Sequence, residues 1–67
     1  MELTIYNERE NSTTTIAFSG KTVQDLLRHQ KINSETVLVV RNNEVLLETE
    51  EVWNKDQITF LSVISGG

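Results

Sequence analysis

The absence of cysteine constrains this 67-residue chain more than any other feature. A chain of this length buries only about 60% of the surface that its unfolded form exposes, and small domains often rely on disulfides or metals for stability. Because the chain has no thiol, it can form no disulfide, no thiolate metal site and no cysteine nucleophile. The hydrophobic core alone must therefore hold the fold together. We therefore expect one domain with one core and no deep, enclosed active site.

The composition favours a water-soluble globular domain. Hydrophobic residues make up 37% of the chain and charged residues 24%, and no apolar run approaches the roughly 20 residues of a membrane span. The first residues alternate between apolar and polar side chains and lack the basic and apolar regions of a signal peptide. We therefore expect a cytoplasmic protein with no membrane partner. The net charge is -4 and the six basic residues are scattered, so direct nucleic-acid binding is not expected and basic partners are favoured.

Short alternating segments predict a largely β structure. Five strands are predicted, at residues 3–6, 13–18, 36–40, 44–47 and 57–64. The first two are joined by a polar turn and form a β-hairpin. Asn42 and Asn43 predict a tight turn in a second hairpin, because Asn tolerates positive φ.

One short helix is predicted after Thr22, a candidate N-cap with Asp25 three residues later. Val23, Leu26 and Leu27 follow the i, i+3, i+4 spacing of a buried helical stripe. The elements therefore run ββαββ with a final β. A single helix covers one face of a five-stranded sheet, so we expect an α+β fold with the other face open.

Two of the predicted strands are apolar on both faces. We assign one parity to the core, namely Val37, Val39, Ile58 and Phe60. The opposite parity then lies on the open face, namely Leu38, Val40, Leu61 and Val63. Small monomers keep such apolar patches small unless they are used, so this set is a candidate docking surface. The alternative is that both strands are central and partly covered by loops.

The chain ends in Ser65-Gly66-Gly67. Glycine has no Cβ, so an extended diglycine can thread a narrow channel and present its terminal carboxylate to a nucleotide phosphate or a nucleophile. An activated carboxylate could pass to a sulfur donor, giving a thiocarboxylate, or to a lysine amine, giving an isopeptide bond. We divide the chain into a domain at residues 1–64 and a flexible tail at residues 65–67.

The remaining candidates have simpler structural interpretations. His29 lies at the helix end, where the macrodipole favours it, and Glu48, Glu50 and Glu51 lack a partner at metal-ligand spacing. Trp53 fits packing over the core edge better than a binding anchor. Lysines 21, 31 and 55 could accept a modifier, although surface solubility explains them equally well. We expect neither a metal site nor a catalytic residue.

Three segments in order resemble the ubiquitin-like β-grasp family, in particular the ThiS/MoaD-type sulfur carriers and the small archaeal ubiquitin-like modifier proteins. They are Thr22-Val23-Gln24-Asp25-Leu26-Leu27, the hairpin at residues 37–45, and Asp56-Gln57-Ile58-Thr59-Phe60 leading to Ile64-Ser65-Gly66-Gly67. The resemblance covers nearly the whole chain and implies a mixed five-stranded sheet with the helix on one face.

The resemblance also implies a function. It implies that a ThiF/MoeB-like adenylating enzyme uses ATP to activate Gly67, so that this chain is a substrate and holds no cofactor of its own. The resemblance implies that Leu38, Val40, Leu61 and Val63 dock on that enzyme and that Ser65 and Gly66 enter its active site. Sulfur-accepting enzymes or target-protein lysines would be the later partners, and we expect a monomer.

Two departures limit this comparison. The family's Asp-Gly-Asp turn reads Asn54-Lys55-Asp56 here, and the proline pair of some molybdopterin-type carriers is absent. The sequence therefore favours a modifier that also supplies sulfur for tRNA thiolation. A dedicated carrier for thiamine or molybdopterin synthesis, and a ubiquitin-like binding module that is never conjugated, remain as alternatives.

Overall fold

The computed structural model describes residues 1–63. The elements are β1 (Glu2–Asn7), β2 (Ser12–Ala17), α1 (Val23–His29), a 3-10 turn (Ser34–Thr36), β3 (Val37–Arg41), β4 (Glu44–Leu46) and β5 (Gln57–Ser62). The strands form one sheet in the order β2-β1-β5-β3-β4. β1 and β5 are parallel and the other neighbours antiparallel, so the α+β class, the element order and the mixed sheet are confirmed.

The core lies between α1 and one face of the sheet. Its buried members are Leu3, Ile5, Phe18, Val23, Leu26, Leu27, Val39, Leu46, Val52, Ile58 and Phe60. Val37 is partly buried and packs against this cluster. The core assignments made for β3 and β5 are therefore confirmed, because alternate residues of a strand point to opposite faces of the sheet.

Both ends of α1 are capped. The Asp25 N–H donates to Thr22 Oγ1 at 3.3 Å and the Thr22 N–H donates to Asp25 Oδ2 at 3.2 Å, which completes a capping box. At the other end, the Ile32 N–H donates to the Leu27 carbonyl at 2.9 Å and the Lys31 N–H to the Arg28 carbonyl at 3.1 Å. These two bonds form a Schellman motif, and Lys31 occupies its left-handed position with φ of 58°.

The hairpin between β3 and β4 has the predicted turn. Asn42 and Asn43 have φ of 54° and 66°, as a two-residue type I′ turn requires. Arg41 is therefore paired with Glu44, and Val40 with Val45. This register decides which side chain of β4 reaches the open face.

Several predicted boundaries need correction, and β2 ends at Ala17 and not at residue 18. β3 begins at Val37 because Thr36 closes the 3-10 turn, and β4 ends at Leu46. β5 ends at Ser62 and not at residue 64, although the Val63 N–H still donates to the Thr36 carbonyl at 3.0 Å. The proposed domain boundary at residue 64 lies outside the described residues. Over residues 1–63, no helix has the length and apolarity needed to cross a membrane.

Candidate functional site

The open face of the sheet has an apolar half on β5, β3 and β4. Leu38 of β3 lies directly opposite Leu61 of β5, and Val40 lies between Thr59 and Val45. Val63 continues the parity of Leu61 just past the end of β5. We call the five residues Leu38, Val40, Val45, Leu61 and Val63 the apolar patch.

The apolar patch is only partly covered by its neighbours. Leu38 is 41% exposed, Val45 55% and Val63 42%, whereas Val40 and Leu61 are half-buried. All four residues that the sequence assigned to this face are therefore on it, two of them at intermediate burial. β3 and β5 are both interior strands, as the alternative supposed, but Leu38 and Val63 remain exposed on the open face.

Val45 was not among the residues that the sequence pattern assigned to this face. The signal was present, because a two-residue turn at Asn42 and Asn43 fixes Arg41 opposite Glu44 and hence Val40 opposite Val45. Val45 is the most exposed of the five patch residues. Its addition widens the patch to the edge strand β4.

The other half of the open face is polar and almost uncharged. Thr4 pairs with Thr15 and Tyr6 with Thr13 across β1 and β2, while Tyr6 pairs with Thr59 across β1 and β5. Among the strand residues with this parity, Glu2 alone carries a formal charge. A partner that docks here must therefore recognise apolar area and shape, with little help from charge on the strands themselves.

The apolar patch lies beside the point where the chain leaves the sheet. Ser62 at the end of β5 pairs with Val37 at the start of β3, and the Val63 N–H to Thr36 carbonyl bond of 3.0 Å is the next contact along the chain. Ser65, Gly66 and Gly67, which the sequence assigns to the activated tail, lie outside the described residues. The structure thus brings the patch to the strand that leads into the tail.

In the turn before β5, Lys55 stands where the Asp-Gly-Asp pattern has glycine. Lys55 has φ of 72°, in the left-handed region that glycine enters most easily. The Glu2 N–H donates to Asn54 Oδ1 at 2.8 Å, the Lys55 N–H donates to the Glu2 carbonyl at 2.7 Å, and Lys55 Nζ donates to Glu2 Oε1 at 2.6 Å. The hydrogen bond and charge of Lys55 lower the pKa of the Glu2 carboxyl. These hydrogen bonds to Glu2 of β1 stabilise the turn although it lacks a glycine.

The other candidate residues do not assemble into a catalytic site. The His29 ring packs edge-on against Phe18, with ring centroids 5.6 Å apart, and its Nδ1 lies 3.1 Å from Gln30 Nε2. Glu50 Oε2 accepts from the Leu47 N–H, and Glu51 lies 3.9 Å from Lys21 Nζ. Within residues 1–63, no group of three or more acidic or histidine side chains is arranged to hold a metal ion.

Trp53 does not pack over the core as the sequence suggested. Its side chain is among the exposed large hydrophobic residues, at 56% exposed. Its backbone N–H donates to Asp56 Oδ2 at 2.8 Å. The position of Trp53 is therefore set by its main chain, and its indole is left largely in solvent.

The sequence of this chain matches a family model and a sulfur carrier protein. The family model described as "ThiS family" matches residues 4–67. Sulfur carrier protein TtuB of Thermus thermophilus is 38% identical over 48 residues, which are 72% of this chain and 74% of that protein.

Two solved structures share the whole architecture. SAMP1 from Haloferax volcanii aligns with a TM-score of 0.69 and 17% identity, covering 100% of both chains. A ubiquitin-like protein from the archaeon Caldiarchaeum subterraneum aligns with a TM-score of 0.64 and 17% identity, covering 98% of this chain and 100% of that one. At this identity the likeness shows the fold alone.

The fold defines a small ubiquitin-like β-grasp protein. The chain belongs to the ThiS family, whose model extends over the diglycine end as well as the sheet.

Proposed function

We propose that this chain is a sulfur carrier and protein modifier whose Gly67 carboxylate is activated by an ATP-dependent, ThiF/MoeB-like adenylating enzyme. One observation carries the proposal: the ThiS family match runs through a chain end of Ser65-Gly66-Gly67. The apolar patch, to which the last strand contributes Leu61, supports it. The printed name of a 38% identical relative, a sulfur carrier protein, supports the same class of function.

The proposed chemistry takes place at a single carboxylate. A Gly67 oxygen attacks the α-phosphorus of ATP, giving an acyl adenylate and releasing pyrophosphate. Attack by hydrosulfide on the acyl carbon then releases AMP and leaves a thiocarboxylate, whereas attack by a lysine amine releases AMP and leaves an isopeptide bond. ATP is bound by the partner enzyme, so the carrier needs no cofactor and no catalytic side chain of its own.

The apolar patch supplies the docking energy in this proposal. A large aliphatic side chain contributes about 1.5–3 kcal/mol when it passes from full exposure to full burial, so each of these partly exposed side chains contributes a fraction of that, and several must be buried together. Leu38 and Leu61 lie opposite each other at the middle of the patch. Docking there would present the chain end to the nucleotide site, with Ser65 and Gly66 as the spacer.

We further propose that the activated form serves both sulfur transfer for tRNA thiolation and conjugation to target-protein lysines in the cytoplasm. Delivery to thiamine or molybdopterin synthesis is the alternative within the same chemistry. A ubiquitin-like module that binds through the apolar patch and never activates Gly67 is the alternative outside it. The two classes differ in whether removal of Gly66 and Gly67 abolishes activity.

The direct test is intact-mass analysis after incubation with a ThiF/MoeB-like enzyme, ATP and sodium sulfide. The expected product has one terminal oxygen replaced by sulfur, and with a target protein in place of sulfide it is a lysine adduct through Gly67. The matched control lacks Gly66 and Gly67 and should remain unmodified. An unmodified full chain across several such enzymes, with unchanged partner binding after tail deletion, would favour the binding module.

A further inference from the structure

A second apolar feature adjoins the open face at the β4 edge, where it shares Leu38 and Val45 with the apolar patch. A groove of about 240 Å³ runs between α1 and the β3-β4 hairpin, lined by Val23, Leu27, Ser34, Val37, Leu38, Val39, Val45, Leu46, Leu47 and Glu48. Its floor is the buried core, including Val23 and Leu46. Its outer wall includes Leu47, which is 68% exposed and the most exposed large hydrophobic residue of the described chain.

The groove is large enough for one bulky apolar side chain. An apolar cavity of about 150 Å³ already accommodates benzene, and this groove has about 240 Å³. Exposed Leu47 would contribute most of its apolar area to such a contact. The geometry thus fits a leucine, isoleucine, methionine or phenylalanine side chain of a partner.

The mouth of the groove is acidic. Glu48 is one of its lining residues, and the donation of the Gln24 N–H to the Glu48 carbonyl at 3.0 Å ties this residue to the first turn of α1. Glu50 Oε2 is held 2.6 Å from the Leu47 nitrogen, which places a second carboxylate at the same wall. Glu35 follows the lining residue Ser34 in the chain.

Five of the six lysine and arginine side chains are paired with a carboxylate or line another cleft, whereas Arg28 of α1 does neither within residues 1–63. No lysine or arginine lines the groove, and neither Glu35 nor Glu48 has a cationic group within 4.0 Å among residues 1–63. Arg41 is bound to Asp56, and Arg9 and Lys31 line a separate cleft between the β1-β2 turn and the end of α1. The charge beside the groove is therefore available to a partner.

We propose that this groove binds a segment of a partner protein that presents one bulky apolar side chain flanked by lysine or arginine. The acidic mouth disfavours a second copy of this chain, which would bring its own carboxylates to the same place, and it disfavours nucleic acid. The end of this chain, Ile64-Ser65-Gly66-Gly67, carries no basic side chain and does not match the charge. The proposal adds a recognition site to the proposed function and does not depend on tail activation.

The test is a titration of ¹⁵N-labelled protein, followed by NMR, with a synthetic peptide that has a single leucine flanked by two lysines on each side. The expected result is saturable shifts of the Val23, Leu27 and Leu47 amides that weaken as NaCl is raised from about 0.05 to 0.5 M. A matched peptide with glutamates in place of the lysines should bind several-fold more weakly. Deletion of Gly66 and Gly67 should leave the binding unchanged, which separates this site from the proposed function.

Two surface variants test the assignment without disturbing the core. Leu47→Ser and Glu48→Lys should each weaken binding of the lysine peptide about three- to tenfold. Glu10→Lys in the β1-β2 turn makes the same charge change away from the groove and should have little effect on that binding. The proposal is overturned by absent shifts at millimolar peptide, by equal binding of both peptides, or by shifts confined to Val40 and Leu61 on the open face.

Discussion

Arg41 Nη1 donates to Asp56 Oδ2 across 2.9 Å, and the two side chains are only 21% and 18% exposed. The same guanidinium nitrogen donates to the Glu51 carbonyl at 3.1 Å, and the Asp56 carboxylate also accepts from the Trp53 N–H. The Asp56 carbonyl accepts from the Thr4 N–H at 3.0 Å. This ion pair therefore joins the end of β3, the loop before β5 and the parallel strand β1.

The first prediction concerns this ion pair. Asp56→Ala should lower the free energy of unfolding by about 1–3 kcal/mol, because it leaves a half-buried guanidinium and the Trp53 N–H without their acceptor. Chemical denaturation in urea measures the change. Glu2→Gln, which removes the partner of exposed Lys55, is the control and should have a much smaller effect. Equal effects from the two variants would contradict the bridging role given to Asp56.

The second prediction concerns the end of α1. Lys31→Gly should raise the free energy of unfolding by about 0.5–1 kcal/mol, because Lys31 holds φ of 58° and an L-residue pays for that conformation more than glycine does. Lys31→Ala removes the same charge but keeps a Cβ, and should give no such gain. A loss of stability in Lys31→Gly relative to Lys31→Ala would contradict the strain assigned to a Cβ at this position.

Local rules predicted the features that local residues determine. Thr22 and Asp25 formed the expected capping box because their bonds span three residues, and Asn42 and Asn43 formed the expected turn because few other residues accept positive φ. The sets of β3 and β5 residues that share a face were also predicted, since alternation depends only on the strand itself.

Features that depend on tertiary neighbours could not be predicted from the sequence. The exposure of Trp53 depends on the loop before β5, whose main chain is held by Asp56, and the 3-10 turn at Ser34–Thr36 shortened β3. The groove beside Leu47 arises where α1 passes the β4 edge. No periodicity in a single segment specifies that approach.

The third prediction concerns the close approach of the chain at Gly20. A Cβ at this position would lie 2.8 Å from both the Asp25 Cβ and the Phe18 Cε1, well inside van der Waals contact. Gly20→Ala should therefore lower the free energy of unfolding by about 1–3 kcal/mol through overpacking against the Phe18 ring. Ser19→Ala, at the exposed neighbouring position, is the matched control and should be close to neutral in the same urea experiment. Similar stabilities for the two variants would mean that the Phe18 ring yields easily.

The fourth prediction concerns pH. Hydrogen bonds from the Thr22 and Lys21 N–H groups lower the pKa of the Asp25 carboxyl. A group whose pKa is lower in the folded state contributes stability that is complete above its unfolded value of about 3.9 and is lost as pH falls through the folded value. The stability difference between the wild type and Asp25→Asn should therefore be largest near pH 7 and shrink as pH falls below the unfolded value of about 3.9. Thermal unfolding at several pH values measures it, and a difference that stayed constant with pH would contradict the charged capping box.

The last prediction separates the two halves of the open face. Leu38→Asp places a charge in the apolar patch at a position that is 41% exposed, so the fold should persist while docking on a ThiF/MoeB-like enzyme weakens by about tenfold or more. Thr15→Asp makes the same kind of change on the polar half, where Thr15 is exposed and faces Thr4, and should leave docking nearly unchanged. Circular dichroism checks the fold of both variants, and the KM for the carrier in ATP-pyrophosphate exchange measures docking. If both variants are folded and raise the KM equally, long-range charge and not the apolar patch governs the encounter; if neither raises it, the enzyme docks on another surface.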